Sequence, residues 1–275
     1  IAIVVILFAS AWFTHDRIPT LPKPADDTPK FSPGEFIQDV WKALRNVNYV
    51  WLLIGYFFLS MMIGLRESLR MHAATFYWQF TSEELRWFII GSFVGYATAF
   101  VFAARMHGRY DKRRTAITAC LIYAIVPAIP LTMGMMGILT PQTPNLLAIL
   151  IAFGAVGYGA VSVMSISVMS MLADVADENE LRFGVRQEGI LYSTRALSAK
   201  IDQAIGTLLA GWVLLIIAFP EKARPGQVDE GVLYNLAAWD GILAAIPGVI
   251  AAFCYGRYRI DKASYEATRA ALAAR

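Results

Sequence analysis

Six long apolar segments, each near 20 residues, are the feature that most constrains how this chain folds. The hydrocarbon core of a membrane is about 30 Å thick, and a helix that rises about 1.5 Å per residue crosses it in about 20 residues. Hydrophobic residues occupy 57% of the 275 positions and charged residues 16%, whereas soluble domains carry about 25% charged residues. The sequence therefore predicts an all-α integral membrane protein.

We name the predicted membrane-spanning helices spans A to F in chain order. They run about Tyr49–Leu65 with a further stretch to Phe80 (A), Leu85–Met106 (B), Thr115–Leu139 (C), Asn145–Leu172 (D), Ile190–Phe219 (E) and Val232–Tyr255 (F). Small residues recur every four positions on spans B and F, which predicts close helix packing. Span D is dense in glycine and serine, a pattern typical either of a helix that bends or unwinds or of ordinary packing.

The remaining segments flank this predicted bundle of residues 49–256. Residues 1–13 are apolar, uncharged and too short to cross a membrane, and we interpret them as the truncated end of a seventh membrane helix. Residues 14–48 contain four prolines and then a short amphipathic helix that starts after Ser32, which predicts a linker. Residues 257–275 form a polar tail.

The basic residues of the loops predict the orientation of the chain. Seventeen lie in the linker, the B–C loop, the D–E loop and the tail, against three in the opposite loops. Because cytoplasmic loops carry the excess of lysine and arginine, these four segments are expected in the cytoplasm, with the spans in the plasma membrane. No cluster of histidine, cysteine and acidic residues indicates a metal site or cofactor, and no convergent nucleophile and base indicates an enzyme. Nothing indicates binding to nucleic acid; the lipid bilayer is the expected surrounding.

Ionisable side chains at membrane depth cost several kcal/mol unless they are paired or hydrated, so each one is a candidate for function. Lys200 lies about ten residues into span E, roughly 15 Å from its start and near the membrane centre. The candidates for a substrate cavity are Tyr192, Arg195, Lys200, Asp202 and Gln203 of span E, Arg66, Glu67 and Arg70 of span A, and Asp240 of span F. The alternative is an internal charge network that holds helices together.

The charge of these candidates bears on the substrate. If all of them faced one cavity, a single positive charge would be in excess, and an anionic substrate would compensate it. The alternative is that Arg195 pairs with Asp202 while acids from elsewhere neutralise Lys200.

Charged residues also cluster in two of the loops on the predicted cytoplasmic side. Such runs are usually solvated helix ends, yet acids at one helix end and arginines at the next would form a salt-bridged cytoplasmic gate. The gate candidates are Arg109 and Asp111 in the B–C loop and Asp174, Asp177, Arg186 and Glu188 around the D–E loop.

Two of these stretches resemble a known family. The segment from Leu172-Ala173-Asp174 through Asp177 to Val185-Arg186-Gln187-Glu188, and on to Lys200, is similar in content and spacing to the signature of the glycoside–pentoside–hexuronide:cation symporters. This is the melibiose permease group of the major facilitator superfamily. The B–C loop, Gly108 to Arg114, resembles the basic glycine motif of that superfamily.

The resemblance implies a twelve-helix fold made of two six-helix bundles, of which this chain would supply the C-terminal one. It implies Na⁺- or H⁺-coupled symport of a sugar, glycoside or uronide by alternating access, with Lys200 matching an intramembrane lysine that faces the cavity. The acidic ligands of the cation would lie mainly in the N-terminal bundle, the expected partner of this chain. A facilitator or exporter of the same fold, for another small organic or lipid-like substrate, is the alternative.

Overall fold

The computed structural model describes residues 2–16, 32–184 and 188–274, and this part of the chain is helical without a strand. The chain forms two compact units, Ile1–Ile37 and Gln38–Arg275. The first unit contains the apolar helix α1 (Ala2–Thr14). Residues 17–31 of the predicted linker lie outside the described residues, as does the gate candidate Arg186.

Eleven further α-helices follow in the described part of the chain. They are α2 (Pro33–Ala43), α3 (Val47–His72), α4 (Ser82–Leu85), α5 (Phe88–Arg109), α6 (Lys112–Ile125), α7 (Ala128–Met135), α8 (Leu146–Phe183), α9 (Glu188–Ile216), α10 (Glu230–Gly241), α11 (Ile246–Gly256) and α12 (Lys262–Ala273). Among the described residues, six stretches are long and apolar enough to cross a membrane, which confirms the predicted six-span fold: Val47–Tyr77 (A), Ser82–His107 (B), Lys112–Met135 (C), Leu146–Arg182 (D), Glu188–Ile216 (E) and Glu230–Gly256 (F).

The helices of spans A and D extend beyond the ends of their apolar runs. Span A continues beyond α3 through a π-helical turn at Ala73–Tyr77, so its helix extends past Leu65 as the further stretch predicted, and it ends at Tyr77 rather than at Phe80. Span D continues eleven residues past its predicted end at Leu172, to Phe183, because its acidic last turns remain helical. Gly184 then ends the helix with φ +73°, a left-handed conformation that glycine adopts without steric cost.

Spans C and F are each interrupted, whereas span D is not. Span C breaks between α6 and α7 at Val126 and Pro127, since proline lacks an N–H group and its ring clashes with the preceding turn. Span F breaks between α10 and α11 at a 3₁₀ turn, Leu243–Ala245, which precedes Pro247. The unwinding considered for span D does not occur, because α8 is one continuous helix of 38 residues.

Glycines mark the closest helix crossings. A Cβ atom at Gly95 of span B would lie 2.5 Å from the carbonyl oxygen of Ala155 in span D, so the small-residue stripe of span B serves packing, as predicted. At the crossing of spans A and E, a Cβ atom at Gly206 would lie 2.5 Å from the carbonyl oxygen of Met61 and 3.0 Å from the Cα atom of Gly64. Only residues without a side chain allow these backbones to meet.

The orientation stays a prediction that cysteine labelling tests directly. The native cysteines, Cys120 and Cys254, are free and buried, so they contribute little background. Exposed positions on the two sides are Lys222 and Arg114. In intact cells, a membrane-impermeant maleimide is expected to modify a Lys222→Cys variant, and to modify an Arg114→Cys variant only after permeabilisation. Strong labelling of the Arg114→Cys variant from outside would overturn the topology.

Candidate functional site

A cavity of about 100 Å³ lies among spans A, B, C and D, close to the A–B connection. Its wall is mainly apolar and aromatic, and a few ionisable side chains interrupt it. Such a composition is typical of small-molecule sites, where a few polar groups orient a ligand against apolar surfaces. The ionisable lining residues are Arg66, Glu67, Arg70, Tyr123, Tyr158 and Asp240.

Arg66 lies inside the bundle, with 4% of its surface exposed, and binds backbone carbonyls. Its Nη1 atom donates to the carbonyl of Tyr123 at 3.0 Å, and its Nη2 atom donates to those of Ala124 at 2.6 Å and Gly241 at 3.3 Å. With these donors engaged, Arg66 connects span A to the interruptions of spans C and F. The residue predicted as a substrate contact is thus held mainly by the protein itself.

These carbonyl groups are available because both helices are interrupted. The carbonyl of Tyr123 lies four residues before Pro127, which has no N–H group to donate to it. The carbonyl of Gly241 would accept from the N–H of Ala245 in a continuous α-helix, but that N–H donates to Ile242 at 3.2 Å. A carbonyl without a partner at membrane depth costs several kcal/mol, so the guanidinium group supplies donors where the helices do not.

Glu67, Arg70 and Tyr158 form a second group on the cavity wall, which we call the polar cluster. Arg70 Nη2 lies 3.2 Å from Glu67 Oε2, and the Tyr158 hydroxyl donates to Glu67 Oε1 at 3.3 Å. The Arg70 guanidinium also stacks over the Tyr158 ring, 5.0 Å from its centroid. The side chains of Arg70 and Glu67 are 43% and 40% exposed, so this group is accessible to a ligand.

Asp240 of span F completes the ionisable lining. It is 6% exposed and borders the cavity beside the interruption of its helix. Among the described residues, no hydrogen bond or direct ion pair to its carboxylate is present, although Arg66 is close enough to interact with it electrostatically. Arg66 and Arg70 balance Glu67 and Asp240 in formal charge, so this cavity has no positive excess.

The candidates on span E lie outside this cavity. Arg195 packs at the crossing with span A, where its guanidinium carbon lies 4.3 Å from the centroid of the Tyr56 ring. Asp202 is 3% exposed, and its Oδ2 atom has no hydrogen-bond partner among the described residues. In that part of the chain, no ion pair joins Asp202 to Arg195. The side chains of Lys200 and Gln203 are exposed on the surface of the bundle, and the hydroxyl of Tyr192 donates to the Met169 carbonyl at 3.5 Å.

The structure thus separates the predicted cavity residues into two groups, one around the cavity and one on span E. It also adds Tyr158, which the sequence analysis missed. A tyrosine in a glycine-rich membrane helix is the signal that would have identified it.

An ion pair joins spans C and D at their polar ends. Lys112 Nζ lies 2.7 Å and 2.9 Å from the two carboxylate oxygens of Asp174, which is 4% exposed. The hydroxyl of Tyr258 donates to the carbonyl of Met171 at 3.2 Å and approaches Asp174 Oδ2 at 3.5 Å. Burial raises the pKa of the Tyr258 phenol well above its ordinary value, so this group stays a neutral donor.

The other described gate candidates lie on four different helices or directly at their ends. Asp174 is paired with Lys112, which was not among the gate candidates, whereas the guanidinium carbon of the candidate Arg109 lies 5.8 Å from the ring centroid of Tyr110. The reason is local: Lys112 starts α6 and faces span D, whereas Arg109 ends α5. Asp111 is the residue before α6, Asp177 is half-buried within span D, and Glu188 is the first residue of span E.

Asn46 and Asn48 extend this polar end and were not predicted. Asn46 Nδ2 donates to Glu178 Oε2 at 2.9 Å and to Asn179 Oδ1 at 2.8 Å, while its own Oδ1 atom caps span A by accepting from Asn48 N. Asn48 Oδ1 accepts from the backbone N–H of Arg259 at 2.9 Å. An asparagine directly before a long apolar run is a helix-cap signal that would have identified Asn46.

No group of three or more histidine, cysteine or acidic side chains in the described part of the chain could hold a metal ion.

The sequence of this chain matches the family model described as MFS/sugar transport protein over residues 1–262. The chain belongs to this family. Its members are transporters rather than enzymes, and together with the six spans this makes the chain an integral, multi-pass membrane protein of the major facilitator superfamily, as the resemblance implies.

Curated relatives agree with this family and differ in what they are named for. A putative glycoside/cation symporter, YagG, of Escherichia coli (strain K12) is 23% identical over 232 residues, covering 82% of this chain and 45% of the relative. The isoprimeverose transporter of Lactiplantibacillus pentosus is 28% identical over 174 residues, covering 63% and 34%. A putative 2,3-dihydroxypropane-1-sulfonate exporter of Escherichia coli (strain K12) is 26% identical over 116 residues, covering 42% and 24%. The chain spans less than half the length of these relatives.

Proposed function

We propose that this chain is the C-terminal six-helix half of a bacterial plasma-membrane symporter that couples Na⁺ or H⁺ to uptake of a sugar or glycoside. Substrate would bind between this bundle and an N-terminal one, and alternating access would carry it across. The names of the glycoside/cation symporter and the isoprimeverose transporter support the substrate class. The carrying observation is the half-exposed polar cluster on the cavity wall.

The polar cluster suits a neutral polyhydroxyl ligand. Sugar hydroxyls both donate and accept hydrogen bonds, and Glu67 offers acceptors where Arg70 offers donors. Aromatic residues beside them, including Trp78, Phe88 and Tyr123, supply apolar faces. When Asp240 is ionised, the formal charges of the cavity balance, so a neutral ligand leaves no charge uncompensated and a neutral glycoside is favoured over the uronide.

A second candidate is export of a small organic anion by the same fold. Two observations favour it: Lys200 is exposed on span E without an ion pair to another described residue, and one relative is named as a sulfonate exporter. An anion bound at Lys200, facing the second bundle, would compensate that charge.

Transport by the complete protein in proteoliposomes tests this proposal. A Glu67→Gln variant is expected to lose about 10- to 100-fold in kcat/KM for a neutral glycoside, because a hydrogen bond to a charged group contributes roughly 1.5–3 kcal/mol. The matched control is Glu83→Gln, which changes an exposed acid in α4 at the start of span B and should leave uptake unchanged.

Two further comparisons separate the alternatives. A neutral glycoside and its uronide counterpart are offered with and without an imposed cation gradient. Uphill accumulation of the neutral glycoside only with the gradient supports the proposal. Preference for the uronide contradicts the substrate class, and uptake that merely equilibrates in either condition indicates a facilitator.

A further inference from the structure

Asp240 is a buried acid at membrane depth for which the polar cluster gives no explanation. Only 6% of the surface of Asp240 is exposed, and the residue borders the cavity. It lies inside span F rather than at its end. A carboxylate in such a place is costly when ionised unless it is paired and hydrogen-bonded. Among the described residues it has no direct partner.

The nearest cation does not bind this carboxylate directly. Arg66 interacts with Asp240 electrostatically, but its Nη atoms donate to three backbone carbonyls, including that of Gly241 next to Asp240. The ionised carboxylate of Asp240 thus has a nearby countercharge but no hydrogen-bond donor. The neutral carboxyl group would instead leave the positive charge of Arg66 uncompensated. Neither protonation state is strongly preferred by its contacts, and access of water to the cavity decides between them.

The other ionisable groups around Asp240 do not change this balance. Those lining the cavity with it are the oppositely charged Glu67 and Arg70, which pair with each other, and the phenols Tyr123 and Tyr158, which are neutral near pH 7. The π-helical turn of span A that packs on this part of span F adds only Tyr77, and α7, which also packs there, contains no ionisable side chain.

We propose that Asp240 is a proton-binding site of this bundle, occupied in the closed cavity and released when water enters. A proton rather than a metal cation fits, because one carboxylate completes a proton site, whereas hard cations require several oxygen ligands. This assignment rests on the proposed symport, since it supplies the coupling ion. The site adjoins the break in span F, so a change in its charge acts where that helix is interrupted.

The first arm of the test does not depend on transport. Infrared difference spectra of the complete, purified transporter are recorded between acidic and alkaline pH. A carboxylic C=O band that titrates in the unmodified protein is expected to disappear in Asp240→Asn, to persist in the exposed control Glu230→Gln, and to shift in frequency in Asp240→Glu. A band that disappears in Asp202→Asn instead, or one unaffected by Asp240→Asn, overturns the assignment. If Asp240→Asn fails to fold, an unshifted band in Asp240→Glu overturns it equally.

The second arm measures coupling in proteoliposomes. Asp240→Asn is expected to lower accumulation of a neutral glycoside in a pH gradient about 5- to 150-fold, the usual range of coupling free energies, while exchange of substrate without a gradient continues. Undiminished substrate-driven proton uptake in Asp240→Asn contradicts the site. Absence of glycoside transport by the unmodified protein would instead refute the proposed function, and the infrared titration would still decide on Asp240.

Discussion

Replacing Arg66 by methionine is expected to destabilise the protein by about 3–5 kcal/mol, the range measured when one member of a buried charge network is removed. Three backbone carbonyls would lose their donors, and Asp240 would lose its nearest countercharge. The midpoint of thermal unfolding in mild detergent should fall by roughly 10 °C, since 1 kcal/mol corresponds to about 2–4 °C in a chain of this size.

Arg70→Met is the matched control. Arg70 lies one turn away on the same helix, but its side chain is 43% exposed, so its removal should cost less than about 1 kcal/mol. Equal shifts for the two variants would contradict the role assigned to Arg66.

A double variant separates the carbonyl contacts from the charge. Pro127→Ala restores an N–H group to span C, which would bond the carbonyl of Tyr123. In the Arg66→Met background this change should therefore recover about 1 kcal/mol, the contribution of one hydrogen bond. The same change in the unmodified protein should recover nothing, because the carbonyl already has a donor; equal effects in both backgrounds would show that the two residues are independent.

Gly206→Ala is expected to destabilise the bundle by about 1–3 kcal/mol, the usual cost of overpacking. The added methyl group would lie 2.5 Å from the carbonyl oxygen of Met61 and 2.9 Å from the backbone nitrogen of Leu65. These are backbone atoms that no side-chain rotation moves, so spans A and E would have to separate. Unfolding in detergent measures the loss.

Gly211→Ala provides a control on the same helix. A Cβ atom there meets nothing within 4 Å, and alanine favours helix over glycine by up to about 1 kcal/mol. This variant should be neutral or stabilising. If both alanine variants behave alike, the close crossing at Gly206 does not limit stability.

The six spans were predictable because membrane thickness fixes the length of an apolar helix, and each apolar run records that length directly. The end of span D was not, because a helix that leaves the membrane can continue as long as its polar residues find partners. Asp174 and Asn179, both buried at the polar end of the bundle, allow α8 to reach Phe183. Hydropathy marks the edge of the membrane and not the end of the helix.

The candidate site was only partly predictable for a related reason. Sequence identifies an ionisable residue at membrane depth but not the element it faces. Arg66 was correctly selected as exceptional, yet its partners are carbonyls of spans C and F, which depend on interruptions far away in the chain. Tyr158 was missed because its hydroxyl acquires a role only where Glu67 approaches from another span, 91 residues earlier. Lys112 was missed as the partner of Asp174 because the choice among the basic residues of the B–C loop depends on where α6 begins.

The hydrogen bonds of Arg66 also bear on how such a chain changes over generations. A proline in span C exposes a carbonyl that only a donor from another helix satisfies, and a buried arginine in span A is tolerable only where such acceptors exist. Each is harmful without the other. We therefore expect the arginine, the proline and the irregular turn in span F to be kept or replaced together among relatives, although Arg66 and the turn at Leu243–Ala245 lie more than a hundred residues apart.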